Sequence, residues 1–396
     1  MRYKKVVIFT MVLFCSLLTG CWDKVEIERK SFISTIAIDI GKAISKQEEF
    51  KKVKSDEIFN ESQYKKLDVT FGFPNISELA PTQSGTATEQ VITTKAFSMQ
   101  DAINELASKT SRIIYTGHSK LLLLSNEVMQ YPDVFKETID FFERQADINR
   151  MMFVMVVDGK AENYVKFIPT MEKNIETYIS GLMENSSTNS TILPVTLNDM
   201  LISLYNDKDI AIPSLEFDKE DKSKLNISGM ALIKNYKLEG YLTPDETSSL
   251  DILRGKVKGG KETILKNGHP IEFEVGGIKR KIKIVDSSNI NKLNFRIDVS
   301  LEGQLKGYCI GDDLFNYTKL KDIQHDFSQV IERKCEKVAR ILQEEHPIDL
   351  IGLKDYCEKF YPDLYKSIGD KWHFVYKNAN IDVNVSVHAR RVGITK

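Results

Sequence analysis

The residues predict an α+β chain of more than one domain. Mixed β-sheets carry packed helices, and a long amphipathic helix near the C-terminus precedes a final alternating strand. Three patterns support this. Ile323, Phe327, Val330, Ile331, Cys335, Val338, Ile341 and Leu342 recur at three- and four-residue steps from about Lys319 to Gln343, the spacing of one helix face. Ile381, Val383, Val385, Val387 and Ala389 alternate with Asp382, Asn384, Ser386, His388 and Arg390, so this strand has one buried and one wet face. In the first half, short apolar runs alternate with helical patterns, which predicts an α/β layer.

The elements follow in order. Ser31 to Asp39 reads as a strand, and the Lys- and Glu-rich stretch after it, through Lys66, lacks apolar periodicity and reads as a surface excursion. Leu67–Phe73 and Glu89–Thr94 are strand-like. Ser98 with Asp101 caps a helix whose Met99, Ile103, Leu106 and Ala107 share a face. Lys120–Leu124 and Met151–Val157 are buried strands, separated by helical segments around Ser125–Met129 and Pro132–Phe142. Helices around Thr170–Glu184 and Leu197–Tyr205 flank a polar Asn185–Thr191 loop. Ile210–Pro213 opens a second half, and Leu225–Leu232 with Tyr236–Leu242 forms a hairpin. Thr243-Pro244-Asp245-Glu246 supplies N-cap, N1 proline and N3 glutamate for the next helix. Strands occupy Thr263 to Glu302, among them the basic run Ile278–Ile284, whose Lys and Arg positions read as a solvated face.

The first twenty residues are not part of this body. Arg2, Lys4 and Lys5 precede an apolar run from Val6 to Leu18, about 13 residues against the about 20 needed to span a bilayer. A basic start before a short apolar core is a secretory signal. Leu18-Thr19-Gly20-Cys21 is a lipobox, an apolar residue and two small ones before the Cys that receives a diacylglyceryl group. Two acyl chains give stable anchoring. The expected division is therefore 1–20 lipoprotein signal peptide, 21–205 N-terminal α/β region and 206–396 C-terminal α+β region.

The chain carries 55 Lys+Arg against 56 Asp+Glu, and loss of the basic signal leaves the mature part mildly acidic. No global field then favours nucleic acid or anionic lipid. Beyond Cys15 and Cys21 only Cys309, Cys335 and Cys357 remain, an odd number that makes no disulfide framework. Cys335 lies on the helix stripe and reads as a buried thiol, while the states of Cys309 and Cys357 stay open.

Catalytic patterns are missing. Gly255 to Lys261 with Glu262 approaches a phosphate loop, but Glu262 stands where Ser or Thr should hold magnesium, and the segment follows a helix instead of a strand. His118, His269, His325, His346, His373 and His388 form neither HxH nor HExxH, and no cysteines are spaced for zinc. There is no GxSxG elbow. Glu302, Asp312 and Asp313 make no glycosidase pair, and Arg144 with Asp147 reads as an i,i+3 ion pair near a helix end. No catalytic residue, cofactor site or metal site is expected.

Read together, the motifs resemble the Ger(x)C family, the C-subunit lipoproteins of bacterial spore germinant receptors. Gly20-Cys21-Trp22-Asp23 with Glu26-Ile27 is similar to the family's mature start, and Ala37-Ile38-Asp39-Ile40-Gly41-Lys42 to its first strand, with Ala37 where Gly is usual. Gly117-His118-Ser119-Lys120, Arg144 through Ile148, Gly229-Met230-Ala231 and Lys237-Leu238-x-Gly240-Tyr241-Leu242 follow. Gly255-x-Val257-x-Gly259-Gly260, the long helix, Asp349-x-x-Gly352, Pro362, Trp372 and Arg390-Arg391-x-Gly393-Ile394 complete the series. Tyr365 stands where Trp is usual, and Leu353 departs from the pattern after Gly352. The likeness runs along essentially the whole chain.

This resemblance implies a non-enzymatic, lipid-anchored accessory subunit of a nutrient receptor. It implies a place on the outer surface of the spore inner membrane, and partners in two integral membrane subunits that trigger germination. The alternative is an extracytoplasmic solute-binding lipoprotein that captures a small nutrient itself. Two similar α/β lobes would favour that alternative, and the two halves differ in pattern.

Overall fold

A computed structural model describes residue 3 and residues 29–54, 56–58, 60–74, 89–188, 190–206, 209–306 and 317–392. Cys21 and the rest of the lipobox, Cys309, Asp312, Asp313, Gly393 and Ile394 lie outside the described residues.

The strands are β1 (Lys30–Phe32), β2 (Thr35–Ile40), β3 (Leu67–Pro74), β4 (Glu89–Ala96), β5 (Ile113–Tyr115), β6 (Leu121–Ser125) and β7 (Phe153–Val157), then β8 (Asp209–Phe217), β9 (Leu225–Lys234), β10 (Lys237–Leu242), β11 (Lys261–Lys266), β12 (His269–Asp286), β13 (Asn294–Lys306) and β14 (Asn380–Val392). The helices used below are α1 (Met99–Lys109), α2 (Pro132–Arg144), α3 (Ala161–Val165), α4 (Ile175–Glu184), α5 (Leu197–Asn206), α6 (Pro244–Arg254), α7 (Tyr317–Arg340), α8 (Leu353–Phe360), α9 (Pro362–Ile368) and α10 (Trp372–Asn378). None of the described helices is long and apolar enough to cross a membrane.

Eight strands make one mixed sheet in the order β10-β9-β8-β7-β6-β2-β3-β4. The middle four, β8-β7-β6-β2, run parallel, and antiparallel pairs extend both sides. Every residue of Leu121–Ser125 is buried, as a strand covered on both faces requires. One face packs Ala37, Leu123, Met155 and Val157 under Tyr164, Ile175 and Ile179 of α3 and α4. The other packs Ile36, Leu122, Val154 and Val156 against Leu106, Phe135 and Leu204 of α1, α2 and α5. That second core runs without a break into the C-terminal half.

The smaller sheet has the order β11-β12-β13-β14, with β13 and β14 parallel. The α7 stripe buries Phe327, Ile331, Cys335 and Val338 against it, as the periodicity predicts. Val383, Val385 and Val387 of β14 are buried too. Helix α6 lies between the sheets, and all of Thr247 to Leu253 is buried. Its start has both halves of the predicted capping box, with Glu246 N–H donating to Thr243 Oγ1 and Thr243 N–H to Glu246 Oε2.

β8, β9 and β10 lie in the large sheet, which the chain leaves only after Leu242. Several expectations are corrected. Ile33 and Ser34 interrupt the first strand, because Ser34 O turns to accept the N–H of Lys120. The helix expected at Ser125–Met129 is a 3₁₀ turn at Val128–Gln130, and the one expected from Thr170 starts at Ile175. Arg144 pairs with Asp140 at 2.8 Å, not with Asp147, because the helix stops at Arg144 and Gln145 is extended.

Candidate functional site

Several residues of the sequence motifs have direct structural work. Asp39 is 4% exposed, and its carboxylate accepts the N–H groups of Ala161 at 2.7 Å and Glu162 at 2.9 Å, fixing the start of α3. Burial raises its pKa, and the two backbone donors oppose that rise. Asp349 accepts from Gly352, Leu353 and Lys354 N–H at 2.9, 3.1 and 2.7 Å, so Asp-x-x-Gly is the cap that starts α8. Gly229 has φ +108°, and a Cβ there would sit 1.9 Å from Leu242 O, so only glycine lets the two backbones approach. Gly240 leaves room for the His346 imidazole, which rests on β10.

The seam between the two sheets is built around α6. Ser190 Oγ, on the loop before α5, lies 2.8 Å from Ser248 Oγ on α6. Gly260 has φ +97°, and a Cβ there would meet Ser190. Arg280 of β12 donates to Arg254 O at 3.0 Å and to Ile351 O at 2.9 Å, tying the end of α6 to the 349–352 turn. Its Nε is buried without a hydrogen-bond partner. The run read as a solvated basic face is therefore corrected at Arg280, which is half-buried and structural.

A cleft of about 810 Å³ opens along this seam. From the large-sheet side it is lined by Pro194, Ile202 and Ile210, and from the other side by Arg254, Lys256, Lys258, Arg280, Leu350 and Phe360, among others. Ile202 and Phe360 are 51% and 58% exposed on its wall. Burial lowers the pKa of Arg254 and Arg280. For Lys256 the leading cause of the lowering is the neighbouring Arg254 charge, with burial second. Burial raises Asp251.

The expected sites are placed as follows. The acylation candidate Cys21 is outside the described residues. The Gly-rich Gly255–Glu262 segment is a left-handed C-cap at Gly255 leading into β11, and Glu262 is buried in an ion pair with Lys334 at 2.7 Å. Cys335 is buried, as predicted, and burial pushes its thiol pKa up. Cys357 is buried as well, pushed up to about 12. Glu302 pairs with Arg390 at 2.9 Å. Among the described residues no group of three His, Cys, Asp or Glu is placed to hold a metal. Sequence reading missed the cleft cations. Lys256 and Lys258 lie within the Gly255–Glu262 segment and Arg254 directly before it, and only the fold brings the three to one cavity.

Comparison with known proteins gives a consistent result. The family model described as "Spore germination protein N-terminal domain" matches residues 23–217, and "Spore germination B3/ GerAC like, C-terminal" matches residues 228–393. The unmatched stretch, residues 218–227, covers the loop after β8 and the first residues of β9, and these two strands are neighbours in one sheet. Spore germination protein B3 of Bacillus subtilis (strain 168) is 25% identical over 387 residues, covering 96% of each chain. Spore germination protein A3 of the same strain is 26% identical over 392 residues, covering 98% of each. The crystal structure of the GerBC protein shares the fold, with a TM-score of 0.58, 22% identity, 82% of this chain covered and 93% of that one. With both halves matched in order, the chain belongs to the Ger(x)C family, the C subunits of spore germinant receptors.

Proposed function

We propose that this chain is a lipid-anchored accessory subunit of a nutrient germinant receptor, held by acylated Cys21 on the outer surface of the spore inner membrane. It works there through contacts with two integral membrane subunits and carries out no catalysis. The observation that carries this reading is the collinear match of both family regions, from residue 23 to residue 393, which begins two residues after the lipobox cysteine. A spanning receptor body needs about 20 apolar residues per helix, and the described helices of this chain offer none. Outside the described residues, Leu18-Thr19-Gly20-Cys21 supplies a candidate site for a lipid anchor. The relatives named for spore germination support the receptor role.

The test is purification of the full chain, tagged at its C-terminus, from detergent-solubilised spore inner membrane. Recovery of two multi-spanning membrane proteins in near-stoichiometric amount is expected. Recovery of the chain alone, with a tightly bound nutrient, would favour the solute-binding alternative.

A further inference from the structure

We propose that the seam cleft is a binding site for a compact anion, a carboxylate or phosphate compound with an apolar portion, held by Arg254, Lys256 and Lys258. The size fits. At about 810 Å³ the cavity falls within the about 300–1,000 Å³ of small-molecule sites, which form preferentially at domain junctions. A protein partner instead takes a broad surface of about 800 Å² on each side.

The charges fit as well. Arg254, Lys256 and Lys258 make no side-chain hydrogen bond or ion pair with the described residues, although Arg254 is half-buried. Acids also line the cleft, but most are engaged elsewhere. Asp199 accepts from Thr196 N–H and Oγ1, Asp349 is saturated by three backbone N–H groups, and Asp209 lies 3.9 Å from His373. Asp355 is exposed on α8. Asp251 is the buried acid nearest in sequence, and desolvation disfavours its charged form. A half-enclosed cation left without a partner is costly, and an arriving anion relieves that cost.

The cations are also held in place. Gly255, in the left-handed region at φ +66°, turns the chain at the end of α6 so that Lys256 and Lys258 follow Arg254 along one wall. A Cβ at Gly255 would strike the Arg280 side chain. Arg280 in turn clamps the carbonyl of Arg254 itself. Ile202, Leu350 and Phe360 supply the apolar wall. The inference uses only this cavity and does not depend on the anchor.

The experiment is calorimetric titration of the full-length chain in detergent with inorganic pyrophosphate and with citrate, at one fixed ionic strength. Lys256 and Lys258 are exposed, so Lys256→Gln with Lys258→Gln leaves the packing alone. Lys219→Gln with Lys222→Gln, in the loop beyond the far end of β8, removes the same charge elsewhere. Saturable binding of at least one probe near one equivalent is expected, weakened at least tenfold by the cleft double variant and by Arg254→Gln, and changed less than twofold by the control. Should Arg254→Gln fail to fold, the double variant decides. The proposal is overturned if neither probe saturates, if the control loses as much as the cleft variant, or if only a Glu-rich peptide binds.

Discussion

Glu332 on α7 accepts a hydrogen bond from the backbone N–H of Val385 on β14, at 3.0 Å. It is one of three. Ser328 Oγ accepts from Val387 N–H at 3.0 Å, and Gln324 Oε1 from Ala389 N–H at 2.9 Å. Four residues of helix rise about 6.0 Å and two of strand about 6.6 Å, so a polar residue every fourth position meets every second N–H. β14 is the edge of the smaller sheet, and its free donors are satisfied by a helix instead of by another strand. Open edges invite pairing with other chains, and this arrangement closes one.

Glu332→Ala removes the acceptor and leaves the Val385 N–H without a protein partner. A loss of about 1–2 kcal/mol is expected from the denaturation midpoint. Glu332→Gln keeps a carbonyl oxygen at the same reach and is expected to lose less than half as much. Equal losses from the two would mean that packing of the side-chain stem, and not the hydrogen bond, matters here.

Val385→Asp places a charge on the buried face of β14, where Val385 is 4% exposed beside Val299. Destabilisation by several kcal/mol is expected, as for a desolvated and unpaired carboxylate, on the order of 3–5 kcal/mol. Ser386→Asp turns the other way. Ser386 is half-buried instead of fully wet, with Oγ donating to Val299 O at 3.3 Å, so a small cost is expected where the alternation alone predicts none. Similar midpoints for the two variants would contradict the facing of the strand.

How much of this was legible depends on the range of the signal. The stripe of α7, the alternation of β14 and the Thr243 box are local, and each sits where the residues put it. Long-range pairing is not local. Nothing in Ile210–Pro213 says that β8 joins β7 across α3, α4 and α5. Arg280 alternates with Lys279 and Lys281 and shares the face of Ile278, Ile282 and Ile284, so its inward facing was legible, while its hold on the distant carbonyls of Arg254 and Ile351 was not. Asp39 gave no sign of capping α3, 122 residues away. The lipobox is legible only in the sequence, since Cys21 lies outside the described residues.

Glu89 supplies a pH dependence. Its carboxyl is buried near Gly72, whose missing Cβ leaves it room, and accepts from Ser34 Oγ at 2.5 Å. Burial raises its pKa from 4.5 to about 7, and the Ser34 hydrogen bond only partly opposes the shift. The folded state therefore holds the proton more tightly than the unfolded chain. Its contribution to stability is complete below pH 4.5 and is lost as pH rises towards 7, at no more than about 1.4 kcal/mol per unit. Glu89→Gln, which cannot ionise, is expected to flatten that slope and to be more stable than the native chain at pH 8. Parallel stability–pH curves for the two would contradict the buried acid.

Attachment through Cys21 is tested most directly by metabolic labelling with a radioactive fatty acid, followed by membrane fractionation of spores making either the native chain or Cys21→Ser. The native chain is expected to carry label and to stay with the membrane after a high-salt wash, which removes proteins held only by charge. Cys21→Ser is expected to carry no label and to leave the membrane or remain unprocessed. An unlabelled Cys21→Ser chain, processed and still bound after the wash, would contradict the lipid anchor and show that the protein body holds the membrane by itself.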